Sequence, residues 1–238
     1  MTKKKKVILS IVAVVLAVFA YITFFGMQTL CVVWLKMFHH PMMDMVPKPL
    51  VLVPHSEPAQ KLEAFGCSFS VPWAECTQKT LTTSTVWWVC AESNVYVFCD
   101  RLAAVSEAAA KDSSANPEFV EKFFGTKSVG NYAVFAKMFS LTSEDVSIFD
   151  SKSEAATETA MLRAKSVGAS SHGLYGFEYE GIKGFQRGIP AVDEQADIYI
   201  FDQLDRSYRI TIKTRTNSPV RLTQADINTI ITTFSIEP

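Results

Sequence analysis

The chain has 238 residues, 48% of them hydrophobic and 20% charged, with a net charge of −1. A near-neutral balance supplies no basic field for holding nucleic acid, which disfavours that class of partner. With four of the 23 basic residues at its very start, the rest of the chain is mildly acidic, and residues 61–238 are enough for one packed domain but too few for two large ones.

Lys3, Lys4, Lys5 and Lys6 open the chain, and Val7 to Leu35 follows without a charged side chain. An apolar helix of about 20 residues crosses a bilayer, and basic residues flanking a first span stay on the cytoplasmic side. The expectation is therefore a cytoplasmic tail (1–6), a transmembrane helix (7–35) and an extracytoplasmic remainder, with the N-terminus inside a cell membrane. Trp34 and Lys36 suit the far interface, as an amphipathic ring and a snorkelling cation. A signal peptide cleaved near Ala20 is the competing expectation. A lipoprotein reading of Cys31 lacks the small residue that should precede it, so Cys31 reads as a buried thiol.

Residues 36–60 hold Pro41, Pro47, Pro49, Pro54 and Pro58, a spacing that forbids regular helix and predicts an extended stalk. Within it, His39, His40, Met42, Met43 and Met45 offer imidazole and thioether groups, a soft set that suits copper(I). No spacing there is diagnostic, and a membrane-proximal apolar patch explains the same residues more simply.

The domain is expected over 61–238. Phe65 to Val71 alternates like a half-buried strand and ends at Pro72–Trp73. Leu81–Ala91 and Val95–Cys99, with Ser93–Asn94 between them, predict a hairpin whose two faces are both covered, since Trp87 and Val89 oppose Val86, Trp88 and Cys90. Helices are predicted over Pro117–Phe124, from Asn131 through the Tyr132, Phe135, Met138 and Phe139 stripe, at Thr142–Asp145, and over Ser153–Ser166 with Gly168 as its stop. Strands return over Gly173–Arg187, turning at Glu180–Gly181, then over Ala196–Phe201 and Ser207–Thr214. In the last of these Arg209, Thr211 and Lys213 form the wet side. Thr223 opens a closing helix with Ile227, Ile230, Ile231 and Phe234 on one face.

Strands, helices, strands and a helix in that order predict an α+β fold with an antiparallel sheet and segregated helices. Gly66-Cys67-Ser68-Phe69-Ser70-Val71-Pro72-Trp73 resembles the opening strand of PsbP-like domains, and Tyr208–Thr214 with the helix after Leu222 resembles their closing elements. DcrB-like envelope lipoproteins share that fold. The resemblance implies an α/β/α sandwich and a non-enzymatic accessory or ligand-binding domain in an extracytoplasmic space, and the chain departs from it in its lysine-led apolar start. The expectation is thus an N-terminal transmembrane helix followed by one antiparallel-sheet α/β/α sandwich, without a cofactor, that meets an envelope protein. A shared fold does not carry a function by itself.

Cys67, Cys76, Cys90 and Cys99 cluster in the first β-rich stretch, and an even count in an oxidising compartment invites disulfides. Four cysteines allow three connectivities. Pairing the Phe65 strand with the Val86 strand would set Cys67 near Cys90, leaving Cys76 with Cys99; alternatively some stay reduced in the core. Their spacing matches no zinc motif. No HExxH, CxxC or Walker A motif occurs. The alternative function is a hydrolase-like envelope enzyme using Ser170 or Ser171 with His172, which needs His172 inside a concavity. Arg206, Arg209, Lys213, Arg215 and Arg221 form a basic C-terminal cluster, read as a solvated face.

Overall fold

The computed structural model describes residues 14–16, 26, 29–52, 56–103, 121, 123–124, 129–147, 149–167, 172–215, 218 and 220–237. In chain order its elements are α1 (29–37), a 3₁₀ turn (Pro41–Asp44), β1 (Lys48–Pro49), β2 (Gln60–Ala64), β3 (Cys67–Val71), β4 (Cys76–Leu81), β5 (Thr85–Cys90), β6 (Val95–Arg101), α2 (Asn131–Ser140), α3 (Lys152–Ser166), β7 (Leu174–Tyr179), β8 (Ile182–Arg187), a helical turn (Pro190–Asp193), β9 (Gln195–Phe201), β10 (Ser207–Thr214), α4 (Gln224–Thr233) and β11 (Ser235–Ile236). They divide into two compact units, one of Met1–Asp44 with Leu141–Val167 and one of Met45–Ser140 with Gly168–Pro238.

The first unit packs α1, the 3₁₀ turn and α3 around Cys31, Leu35, Met43, Leu141, Val146, Ala155 and Leu162. Ser151 and Glu154 form a reciprocal capping box at the start of α3, satisfying two otherwise orphaned amide donors. Arg163 and Lys165 sit in its last turn, where cations oppose the helix dipole favourably. The helix expected to open at Thr142 is instead a single turn, closed by Asp145 accepting from the Thr142 amide and hydroxyl.

No helix among the described residues is long and apolar enough to cross a membrane. This overturns the expected transmembrane-helix architecture: over 29–37, Cys31 and Leu35 are turned into a protein core. Lys3 to Lys6 and most of 7–28 lie outside the described residues, as do most of 117–124 and Gly168.

The second unit contains two sheets where one was expected. The larger runs β1-β7-β8-β9-β10-β6-β5-β4, antiparallel except that Lys48–Pro49 runs parallel to Tyr175–Gly176, so the sheet is mixed. The smaller runs β11-β3-β2. The opening strand β3 thus pairs with β2 and the C-terminal β11, and does not join the large sheet; this is what replaces the α/β/α sandwich. The small sheet and α4 cover the inner face of the large one, burying Phe69, Val71, Val86, Trp88, Val97, Ile198, Ile200, Ile210, Ile212, Ile227, Ile230 and Ile231 in one cluster.

Local chemistry explains the register. Glu180 and Gly181 both have positive φ, the two-residue geometry that joins strands with the native twist. At Gly184 a Cβ would lie 2.0 Å from the Tyr199 carbonyl oxygen and 2.5 Å from the Phe177 ring, so glycine alone lets that ring lie across β8. Thr223 and Asp226 make a second capping box at α4. The proline-rich residues 45–52 and 56–60 belong to this unit: β1 extends its sheet, and Ser56 donates to Asp226 at 2.7 Å while its carbonyl accepts from Thr229 at 2.8 Å.

Candidate functional site

Side chains alternate across a strand, so one face of the large sheet closes the core and the other carries everything between. On that outer face, register sets Trp87, Phe98, Thr211, Asp197 and Arg187 in one row across five strands. A second row reads Thr85, Asp100, Arg209, Tyr199 and Phe185.

Three zones result. At one side α2 lays Tyr132, Phe135 and Phe139 on Phe185, Tyr199 and Phe201, with ring centroids 5.0–5.7 Å apart. The start of α2 is fixed by Asp205, whose carboxylate accepts from the amides of Asn131 and Tyr132. In the middle are two ion pairs. Arg187 donates through Nε (3.1 Å) and Nη2 (2.7 Å) to Asp197, which also accepts from Thr211 at 2.6 Å; Arg209 donates to Asp100 at 2.9 and 2.6 Å, and Asp100 accepts from Thr85 at 2.7 Å. Burial works against the Arg209 guanidinium, but the Asp100 hydrogen bond and charge outweigh it and hold its pKa above the ordinary value. Burial pushes the Tyr199 phenol up, with Arg187 opposing.

The third zone is a half-exposed stack of rings on β5 and β6. Trp87 lies 5.7 Å from Phe98 at 10° and 6.0 Å from Tyr96 at 28°. The exposed Lys213 shares the Tyr96 row, and β4, exposed at Thr77, Gln78 and Lys79, ends the sheet beside them. The expectation that both faces of this hairpin are covered is thus corrected: Val86, Trp88 and Cys90 are buried, Trp87 and Val89 only partly. The wet side of β10 is corrected in the other direction, because Arg209 and Thr211 are tied into the ion-pair zone.

The cysteines divide differently from the pairing expected. Cys76 and Cys90 face each other across β4 and β5 with Cα atoms 3.9 Å apart and form a disulfide. Cys67 and Cys99 are buried free thiols, as is Cys31.

In the first unit, Trp34 is half-buried, its ring tilted 34° to that of Phe38 at 5.3 Å and lying beneath the Arg163 guanidinium, while Lys36 is exposed. Met42 and Met43 are fully buried, His40 Nδ1 accepts from the Met42 amide, and His39 Nε2 meets Asp44 at 2.5 Å. Met45 opens the second unit and is half-buried. Among the described residues no group of three or more His, Cys, Asp or Glu side chains is arranged to hold a metal ion. Burial pushes the Asp44 carboxyl up, yet hydrogen bonds from Ser143 and His39 prevail and its pKa falls below the usual carboxylate value. Lys165 is completely buried, donating to the Met43 and Leu141 carbonyls at 3.1 and 2.5 Å. Burial pulls its pKa down to about 8 against the attraction of Asp44 and Asp145.

His172 Nδ1 meets the buried Asp193 at 2.6 Å, and Asp193 also accepts from the His172 and Ile189 amides. The ring itself is exposed. Ser170 and Ser171 lie outside the described residues.

Sequence reasoning missed the Arg187–Asp197 pair and Lys165. In the sequence Asp197 is one of several acidic residues between 178 and 197, and Lys165 is one cation in an Ala- and Glu-rich stretch; neither burial nor partner is written locally. No protein-family model, no curated protein and no solved structure matches this chain.

Proposed function

We propose that this protein is a non-enzymatic accessory domain acting outside the cytoplasm, which docks an envelope protein on the outer face of its large sheet. The observation that carries the reading is the half-exposed Trp87, Tyr96 and Phe98 stack beside the terminal strand β4. Stacked aromatic side chains give large contact area at little entropic cost and dominate interface energetics. The exposed Lys213 at the rim favours a partner surface with a carboxylate at its edge. The Cys76–Cys90 bridge supports an oxidising compartment, since such bonds are rare in the cytosol. The lysine-led apolar start of the chain and the likeness of residues 66–73 to PsbP-like domains point the same way.

Site-specific photo-crosslinking in cells tests the docking face. A photoreactive residue replacing Lys213 is expected to yield one discrete adduct, absent when it replaces Glu63 on β2 and lost in Trp87→Ala. Identical adducts from both positions, or an adduct indifferent to Trp87→Ala, would exclude this face.

A further inference from the structure

Four of the five cysteines sit in the main core, and the two free ones among them lie on opposite sheets. Cys67 opens β3 of the small sheet, Cys99 lies on β6 of the large one, and both belong to the same buried cluster. The sheets close on each other at this spot: Tyr208, on the strand next to β6, donates its hydroxyl to the carbonyl of Phe65, two residues before Cys67, at 3.3 Å. The Cys67 thiol, and burial after it, drive the Cys99 pKa far above the ordinary thiol value. Cys67 in turn donates to the Ala64 carbonyl at 3.0 Å.

We propose that Cys67 and Cys99 are a second disulfide site, a two-electron couple that ties the small sheet to the large one. The oxidant is a disulfide of the thiol-exchange class, R–S–S–R. The Cys67 thiolate attacks it, forming Cys67–S–S–R and releasing one RS⁻. The Cys99 thiolate then attacks the Cys67 sulfur and releases the second RS⁻; the couple loses two electrons and two protons, and two RSH are formed. Only thiolates react, so two thiols buried to 2% exposure or less are inert once the core has closed. The bridge therefore forms during folding, and a chain folded reduced stays reduced. The chemistry needs the export reading only for its oxidant, so it is tested separately from that reading.

The full-length chain is refolded from denaturant in a glutathione buffer, with and without the oxidised form, then alkylated in denaturant without reductant and mapped by mass spectrometry. With oxidised glutathione, one cysteine of the five, Cys31, is expected to carry the label, and a Cys67–Cys99 peptide is expected beside Cys76–Cys90. Oxidised glutathione added after reduced refolding should leave Cys67 and Cys99 labelled. In Cys99→Ser, Cys67 should regain its label while Cys76–Cys90 persists. Labels on both Cys67 and Cys99 after oxidative refolding, or Cys67 linked to any other cysteine, would overturn the assignment. Cys76 and Cys90 labelled in protein taken from cells would overturn the export reading and leave the refolding result as it stands.

Discussion

On the inner face of the large sheet Val97, Ile198, Ile200, Ile210 and Ile212 are wholly buried, whereas the outer face of the same strands carries Asp100, Asp197, Arg187, Arg209 and a ring stack open to solvent. The inner face is held by shape and area, which many apolar sets satisfy. The outer face depends on named partners at fixed register. Asp197 meets Arg187 because β8 and β9 are aligned to set them opposite each other, and a one-residue slip of β9 would turn Asp197 into the core and leave Arg187 without it. A fold that needed only a core would carry no such constraint, so the difference marks the outer face as the place where specificity, and in our reading partner recognition, was built.

The largest test of this contrast removes one member of the buried pair. Asp197→Ala leaves the Arg187 guanidinium, 7% exposed, without its carboxylate and should cost about 3–5 kcal/mol in chemical denaturation. Replacing both members with apolar residues should recover most of that loss, because the pair's desolvation cost disappears with it. A mild effect of Asp197→Ala alone would erase the distinction between the faces. On the inner side, Ile210→Ala opens a cavity among completely buried neighbours and should cost roughly 2–5 kcal/mol with no effect on crosslinking at position 213.

Lys165 shows what burial does to a charge whose ammonium group donates to main-chain carbonyls. Its folded pKa of about 8 lies below the ordinary 10.5, so the unfolded chain binds the extra proton between those values. Unfolding free energy should therefore rise as pH increases from about 8 to 10.5, by at most ~3 kcal/mol, the penalty being fully present below that window. Lys165→Met should flatten that rise in urea titrations at each pH. A rise that persists in the variant would place its source elsewhere.

The inner face was far more legible in sequence than the outer one, for physical reasons. Alternation of Tyr208, Ile210 and Ile212, the Glu180–Gly181 turn and the Thr223 capping box are local signals, and the β7–β8 and β9–β10 hairpins and α4 follow from them. β4 reads Cys-Thr-Gln-Lys-Thr-Leu, too polar to announce a strand, and its omission is why Cys90 was matched with Cys67 when its neighbour across the ladder is Cys76. The two-residue β1 contains a proline and is a strand only because β7 is there to receive it. Arg187, Asp197, Arg209 and Asp100 are ordinary charges until four strands bring them together. The helix pattern at Thr142 failed in the opposite sense: Asp145 closes a turn there, which uses the same side-chain-to-amide bond as a helix start but needs no helix after it.

The smallest effect on stability and the largest on recognition should fall on one residue. Trp87 is only half-buried and rests on Phe98 and Tyr96, so truncating it removes stacking worth about 0.5–1.5 kcal/mol along with partial burial. Trp87→Ala should unfold within about 2 kcal/mol of the parent, inside the range of ordinary substitutions. An interfacial anchor of this kind commonly carries 2 kcal/mol or more of binding energy, roughly a thirtyfold weakening when lost. The Lys213 adduct should accordingly vanish while the denaturation curve scarcely moves. Trp87→Phe keeps a stacking ring and should restore part of the adduct, which a purely structural role for Trp87 does not predict. If Trp87→Ala destabilises the fold as much as Ile210→Ala does, the ring stack belongs to the core, and the two faces of the sheet differ only in the residues that fill them.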